Sequence, residues 1–390
     1  MGRAGAEVSL LELLKRMENC GFTVFLYVLM GQGELMEQIP PFVRLLNTRV
    51  STESVLSGKG RRRLAATVLR NFCRNGGKLQ KLADLFRNWL AGMRKRECQI
   101  SKLLWRVVSD GAEEFDTRFD LAVAWLEGGS AYYVADHVKA GRKAAFIHID
   151  YGEAGYTRKM DRECWRQFDR IFAVSEGVRD SFQAFYPEYA EKLDVFRNMI
   201  DREAICRRGA ADGGFSDDFG GIRLLTVGRL DRQKGYDIAI EAMQILREAG
   251  YPVRWYVLGE GPERKRLERK IGASGLAEDF LLLGAVENPC PYYVQADIYV
   301  HATRFEGKSV AVQEALILGC AVVASDAAGN REMITDGETG VLCELTPEGI
   351  AGKIADLLED GQRRRELGQR AAKSRVAQGQ DWERLLELIV

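Results

Sequence analysis

Apolar positions change period along this chain, and the changes divide it into elements. Leu10 to Met17 repeat at helical spacing, whereas Thr23 to Met30 is the short, nearly continuous run of a buried strand. Leu121–Leu126, Ala144–Ile149, Arg170–Val174 and Asp194–Arg197 read as further short strands with helices between them. After residue 221 the pattern is cleaner. It predicts strands at Leu224–Val227, Arg254–Leu258, Phe280–Leu283, Ile298–His301, Ala321–Ala324 and Val341–Cys343, and helices over Tyr236–Ala249 and Val310–Leu318. Strand alternating with helix argues for parallel sheets joined by right-handed crossovers. The expected fold class is α/β, with two Rossmann-like doubly wound domains. Gly209–Gly221 is rich in Gly and Asp, has no period, and reads as the linker. The expected division is a domain over 1–208 with an insert at 49–106, the linker 209–221, a second domain over 222–375 and a terminal helix over 376–390.

The opening is irregular. A doubly wound domain begins with a strand that leads into its first glycine turn. Here Met1-Gly-Arg-Ala-Gly-Ala-Glu7 already reads as that turn, centred on Gly5, and a helix follows at once. The first strand therefore reads as missing, unless the opening is divergent and its edge is covered in another way.

Composition narrows the class. The 390 residues are 46% apolar, enough for two separate cores, and the net charge is zero, which points to neither nucleic acid nor an acidic partner. The eight Cys are scattered with no Cys-x-x-Cys, and three His are too few to complete a zinc site, so no metal and no cofactor is expected. Reduced thiols fit a cytoplasmic protein. No signal peptide opens the sequence, and no apolar run approaches the ~18 residues of a membrane span, so the chain is expected to be soluble or peripheral. The segment Arg49–Arg106 departs from this balance, with 15 Lys/Arg against 3 Asp/Glu. Leu64, Val68, Leu79, Leu82, Leu85, Phe86, Trp89 and Leu90 give it an apolar face. Such a segment is a candidate for lying on an anionic membrane surface, or is an ordinary helical insert with its basic face in water.

The candidate chemistry lies in the second half. Glu306 and Glu314 are separated by seven residues, after the strand ending at His301. Ser309 suits the N-cap of the following helix. Glu306 then sits on the strand-to-helix loop, with Gly307, and Glu314 lies more than a turn into the helix. The backbone N–H groups of Lys308, Ser309 and Val310 would point from a positive helix end, a place for phosphate oxygens. The two carboxylates could accept from sugar or ribose hydroxyls. Upstream, the strand Arg223–Val227 ends in Gly228, followed by Arg229 and Lys234. Two cations beside a glycine turn make a diphosphate clamp, or merely dress a surface loop. His148 ends another parallel strand and is expected to face a ligand crevice, unless it is a satisfied core residue. His301 is expected to pack or orient the Glu306 loop. No Asp-x-Asp occurs, so a metal-bridged diphosphate is not suggested.

These motifs resemble a known family. Gly228-Arg-Leu-Asp-Arg-Gln-Lys-Gly235, Leu258-Gly-Glu-Gly-Pro262, Leu283-Gly284, Asn288-Pro289, Ala296-Asp-Ile-Tyr-Val300, the pair Glu306 and Glu314, and Gly337-Glu-Thr-Gly340 follow the order of family 4 retaining glycosyltransferases of the GT-B fold. The tract Arg304–Ala315 is most similar to bacterial enzymes that build capsular and exopolysaccharides. The resemblance implies two domains facing a crevice, a nucleotide-diphosphate sugar donor and a saccharide or lipid-linked acceptor. It implies catalytic roles for His148 and Glu306, with Glu306 at the donor sugar and Glu314 at the ribose. Arg229 and Lys234 would stand at the diphosphate. Asn198 stands where the family carries an Asn before the domain crossing. Gly329-Asn-Arg-Glu332 departs from the family's loop, which leaves a base contact by Glu332 open. The expected place is the cytoplasm, with the inner face of the cell membrane as a candidate docking surface. An alternative from another class is a non-catalytic nucleotide-sugar-binding partner of a complete transferase. A GT-B epimerase would need a paired acid and base at one sugar carbon, and no such pair is visible.

Overall fold

The structure, a computed structural model, describes residues 1–2, 5–55, 57–73, 86, 100–152, 154–197, 200–374 and 381–389. It forms two compact units, Met1–Ile200 with Gln378–Val390, and Asp201–Ala377.

The first unit opens with helix α1 (Gly5–Arg16), and no strand precedes it among the described residues. Strands β1 (Phe25–Leu26) and β2 (Arg44–Leu45) make a separate parallel pair. The expected strand over Thr23–Met30 is thus mostly irregular. Its backbone is satisfied from elsewhere: the Asn47 side chain accepts from Val28 N (2.7 Å) and donates to Val28 O (2.9 Å), doing the work of a ladder partner. Helices α2 (Gly58–Cys73) and α3 (Ile100–Asp110) follow. The main sheet is β3 (Phe119–Ala124), β4 (Ala140–Ile147), β5 (Arg170–Ala173) and β6 (Leu193–Val195), parallel and in sequential order. Helices α4 (Gly129–His137), α5 (Arg158–Asp161) and α6 (Glu176–Phe185) connect these strands. One face buries Ile147, Tyr151, Trp165 and Phe182; the other buries Leu13, Phe146, Phe172 and Phe196.

The second unit starts earlier than its sequence suggests. Helix α7 (Arg202–Gly209) belongs to it. The expected linker is also part of it, because Asp217 accepts from Arg223 (3.0 Å), Arg254 (2.9 Å) and Tyr256 (2.5 Å). A Gly- and Asp-rich tract without period can be tied down by one carboxylate, and composition alone does not reveal it.

From there the chain runs β7 (Ile222–Val227), α8 (Tyr236–Glu248), β8 (Val253–Leu258), α9 (Arg264–Ala273), β9 (Phe280–Gly284), α10 (Cys290–Gln295) and β10 (Ile298–His301). It continues through α11 (Val310–Ile317), β11 (Ala321–Ser325), α12 (Ala328–Arg331), β12 (Val341–Cys343), α13 (Pro347–Glu359) and α14 (Gly361–Lys373). The six strands are parallel, in the order β12-β11-β10-β7-β8-β9. Strands buried on both faces read as continuous apolar runs, which is why this half was legible. The last described helix, α15 (Trp382–Leu386), returns to the first unit, where Leu385 is buried and Arg384 donates to Val195 O (2.8 Å).

Candidate functional site

Strand order in the second unit reverses between β7 and β10. Parallel strands put their carboxyl ends on one edge, so the turn after Val227 and the loop after His301 lie side by side there. In open parallel sheets this switch point is where ligands bind.

Close backbone approach shapes the first turn. A Cβ on Gly259, whose φ is 156°, would stand 1.9 Å from Gly228 O, and one on Gly235 (φ 59°) would stand 2.0 Å from Ala302 O. Both glycines are required for the loops to meet. Asp231 caps the short turn Arg232–Lys234, and Tyr236 donates to Gly228 O (2.8 Å). Arg229 is exposed, with Asp231 at 3.5 Å.

Lys234 turns inward. Its Nζ is paired with Oε2 of Glu306, and His301 Nε2 lies 3.1 Å from the same oxygen. All three are largely buried. Burial alone would raise the Glu306 pKa, but Lys234 and His301 outweigh it and hold it down at about 2. Burial and then Lys234 lower the His301 pKa, against the pull of Glu306, so the ring is neutral near pH 7.

Ser309 is the N-cap of α11, accepting from Val312 N at 3.4 Å, and Val310 is its first residue. The buried Gly307 carries the loop under α12: a Cβ on Gly329 would stand 2.0 Å from Gly307 O. Lys308 is half-buried. Asn330, fully buried, donates to Ser325 O (2.8 Å), so the departure at Gly329-Asn330 is structural, and Glu332 is exposed.

Glu314 is buried on α11. Burial raises its pKa, opposed by Arg208 and Tyr293. Arg208 of α7 lies 3.6 Å from Glu314, and its Nε donates to Asn288 (3.3 Å), whose amide donates back to Arg208 O (2.8 Å). Sequence reasoning missed Arg208, because it lies in the tract read as the end of the first domain and has no local motif.

The first unit gathers a second set of residues at the carboxyl edge of its sheet. Gly5 begins α1, and Ala6 O accepts from Trp125 Nε1 (2.7 Å). The Trp125 ring lies 5.4 Å from that of His148, whose backbone N donates to Glu127 (3.0 Å). Buried His148 Nε2 has no hydrogen-bond partner among the described residues. Burial, opposed by the Trp125 backbone, lowers the His148 pKa to about 4. The unfolded ring titrates near 6.5, so acid favours the unfolded chain: this contribution is present above pH 6.5 and lost as pH falls towards about 4. Urea unfolding at several pH values is expected to show His148→Phe losing less stability than wild type across that window. Parallel profiles would contradict the buried neutral ring.

The expected basic insert is only partly described. Lys59, Arg61, Arg62 and Arg63 are exposed on α2, with Leu69 65% and Phe86 59% exposed. Arg106 does not belong to that face: it is buried, bonded to Met160 O (2.7 Å) and Asp136 (2.6 Å). Leu79, Leu82, Leu85, Trp89, Leu90 and Asn198 lie outside the described residues. Among the described residues no helix is long and apolar enough to cross a membrane, and no cluster of His, Cys, Asp and Glu could hold a metal ion.

Residues 219–374 match the family described as Glycosyl transferases group 1. The chain is 32% identical over 199 residues to N-acetylgalactosamine-N,N'-diacetylbacillosaminyl-diphospho-undecaprenol 4-alpha-N-acetylgalactosaminyltransferase of Campylobacter jejuni, covering 50% of this chain and 53% of that protein. It is 32% identical over 226 residues to the amylovoran biosynthesis glycosyltransferase AmsK of Erwinia amylovora, covering 54% of each. The chain thus spans about half the length of these curated relatives. In structure it is similar to Anabaena HepE in complex with UDP-glucose, with a TM-score of 0.66 at 17% identity, over 99% of this chain and 94% of that one. The second unit thus resembles a glycosyl transferases group 1 domain over residues 219–374, and the chain has the GT-B fold.

Proposed function

We propose that the chain is a retaining glycosyltransferase of family 4 that moves a sugar from a nucleotide-diphosphate sugar to a saccharide or lipid-linked acceptor in cell-surface polysaccharide synthesis. The observation that carries this reading is the meeting of Arg229, the Lys234–Glu306 pair and the start of α11 at the switch point of a group 1 domain. The second unit holds the donor. Arg229, Lys234 and the backbone N–H groups at the start of α11 (Lys308, Ser309, Val310), with Gly228 and Gly307 giving room, neutralise the diphosphate in the position a divalent cation would take. Glu306 accepts from the donor sugar, and Glu314 accepts from the ribose. His148 and the Gly5 turn belong to the acceptor side. Retention follows if the acceptor attacks from the face the diphosphate leaves, with a phosphate oxygen taking its proton. The exposed basic face of α2, with Leu69 and Phe86, meets the anionic inner leaflet that carries the acceptor.

Calorimetric titration with UDP and GDP tests the donor assignment. Arg229→Ala is expected to weaken binding of whichever nucleotide binds by about 10- to 100-fold, the loss of a charge-assisted contact. Unchanged affinity would reject Arg229 as the diphosphate ligand.

A further inference from the structure

Glu306 has two oxygens, and the fold treats them differently. Oε2 receives both Lys234 Nζ and His301 Nε2, the latter at 3.1 Å. No hydrogen bond reaches Oε1 among the described residues. The imidazole is held on its other side as well. Tyr299, two residues earlier on β10, stacks its ring on His301 with centroids 6.0 Å apart and planes at 22°. Its hydroxyl lies 3.2 Å from His301 Nδ1 and 3.4 Å from Val227 O.

These contacts decide the tautomer. The neutral ring carries one proton, and each nitrogen faces an oxygen. On Nδ1 the proton would leave a bare Nε2 against an ionised carboxylate, lone pair to lone pair. On Nε2 it makes a charge-assisted bond to Glu306, and the Tyr299 hydroxyl turns its own proton to Nδ1. The second arrangement satisfies every group and gives up only the longer contact to Val227 O.

We propose that His301 is a positioning residue: as the Nε2–H tautomer it fixes Oε2 of Glu306 together with Lys234, and so reserves Oε1 to accept from a hydroxyl of the donor sugar. The inference rests on the donor reading above. It adds that the loop acid is aimed by a buried strand residue, and that Lys234 serves Glu306 before any diphosphate arrives. His301 touches no reacting atom in this account; it acts through Glu306.

Two measurements test it on the full chain. Nitrogen NMR of the imidazole rings is simplified by the three His, and His301→Gln assigns the signal by its loss. At pH 7 the proton is expected on Nε2, with Nδ1 bare. A proton on Nδ1, or on both, overturns the positioning. Titration and turnover then use UDP, GDP, UDP-glucose, UDP-N-acetylglucosamine and GDP-mannose. His301→Leu is expected to leave affinity for the free nucleotide within roughly twofold while lowering turnover of the best-bound sugar conjugate about tenfold. His301→Gln, whose amide N–H can reach the carboxylate, is expected to regain most of it. Equal losses in Leu and Gln, or a loss of free-nucleotide affinity as large as the loss of turnover, overturn the inference. A wild-type chain that binds none of the five overturns the donor reading and the sugar half of this one. The tautomer result is independent of that and decides the positioning half by itself.

Discussion

Lys234→Met is expected to destabilise the second unit by about 3–5 kcal/mol, the usual cost of removing one partner from a buried ion pair. The side chains of Lys234 and Glu306 are only 15% and 11% exposed, so solvent cannot replace the lost partner. Most of the cost lies in the carboxylate left behind, held in a pocket where burial disfavours its charge. Two consequences separate this from a packing defect. First, Lys234→Met with Glu306→Leu should regain most of the loss, because both charges are then gone. Second, the loss should shrink in acid. In the wild type the Glu306 pKa of about 2 lies below its ordinary 4.5, so its stabilisation is present above pH 4.5 and lost as pH falls through about 2. In the single variant the carboxyl protonates earlier and sheds its penalty. Urea unfolding at pH 7 and pH 3 reads both. A double variant as unstable as Lys234→Met, or a cost unchanged at pH 3, would show that the pair is not what holds this loop.

The second unit was legible because its signals are local. Strands β8 and β10 run as predicted to within a residue, and Ser309 caps α11 where the Ser before an apolar run said it would. The Glu306 loop and the Gly228 turn were placed on their elements for the same reason. What was not legible depends on partners distant in sequence. The Thr23–Met30 run keeps only the two-residue strand β1, and beyond it the Asn47 side chain bonds the Val28 backbone. The Gly209–Gly221 tract looked like a linker because nothing in it announces that Asp217 meets Arg223, Arg254 and Tyr256. Arg208 reaches Glu314 from 106 positions away, and Arg106 counted towards a basic surface although it points into a core. Charge totals cannot tell a solvated cation from a paired one. A side chain that pairs across the fold has no period to read.

The largest loss in the first unit is expected from Asp161→Ala, about 4 kcal/mol, because buried hydroxyls left without an acceptor cost roughly 1–3 kcal/mol each and part of that is relieved by relaxation. Asp161 is fully buried and accepts from Tyr132 (2.6 Å), Tyr151 (2.7 Å) and Tyr186 (2.5 Å). The three phenols come from α4, from the loop after β4 and from the segment after α6, so one carboxylate ties three connections together. Arg106 closes the cluster, its guanidinium 3.7 Å from the centre of the Tyr132 ring and bonded to the Asp161 carbonyl. Burial raises the Asp161 pKa, with the hydroxyls opposing it. The folded chain therefore favours the protonated form more than the unfolded chain does, and the carboxylate's charge costs stability as pH rises through the raised value. What the fold needs from this side chain is its acceptor oxygens more than its charge. Asp161→Asn keeps one acceptor oxygen and is expected to cost well under half of what Asp161→Ala costs. Tyr151 stands three residues after His148, so on the proposed reading Asp161→Ala should also slow transfer, while UDP affinity, which that reading assigns to the second unit, should stay at the wild-type value. Urea unfolding beside UDP titration checks this. Equal costs for Asn and Ala would mean that the charge itself holds the cluster, and a loss of UDP affinity in either variant would mean that the effect reaches beyond the first unit.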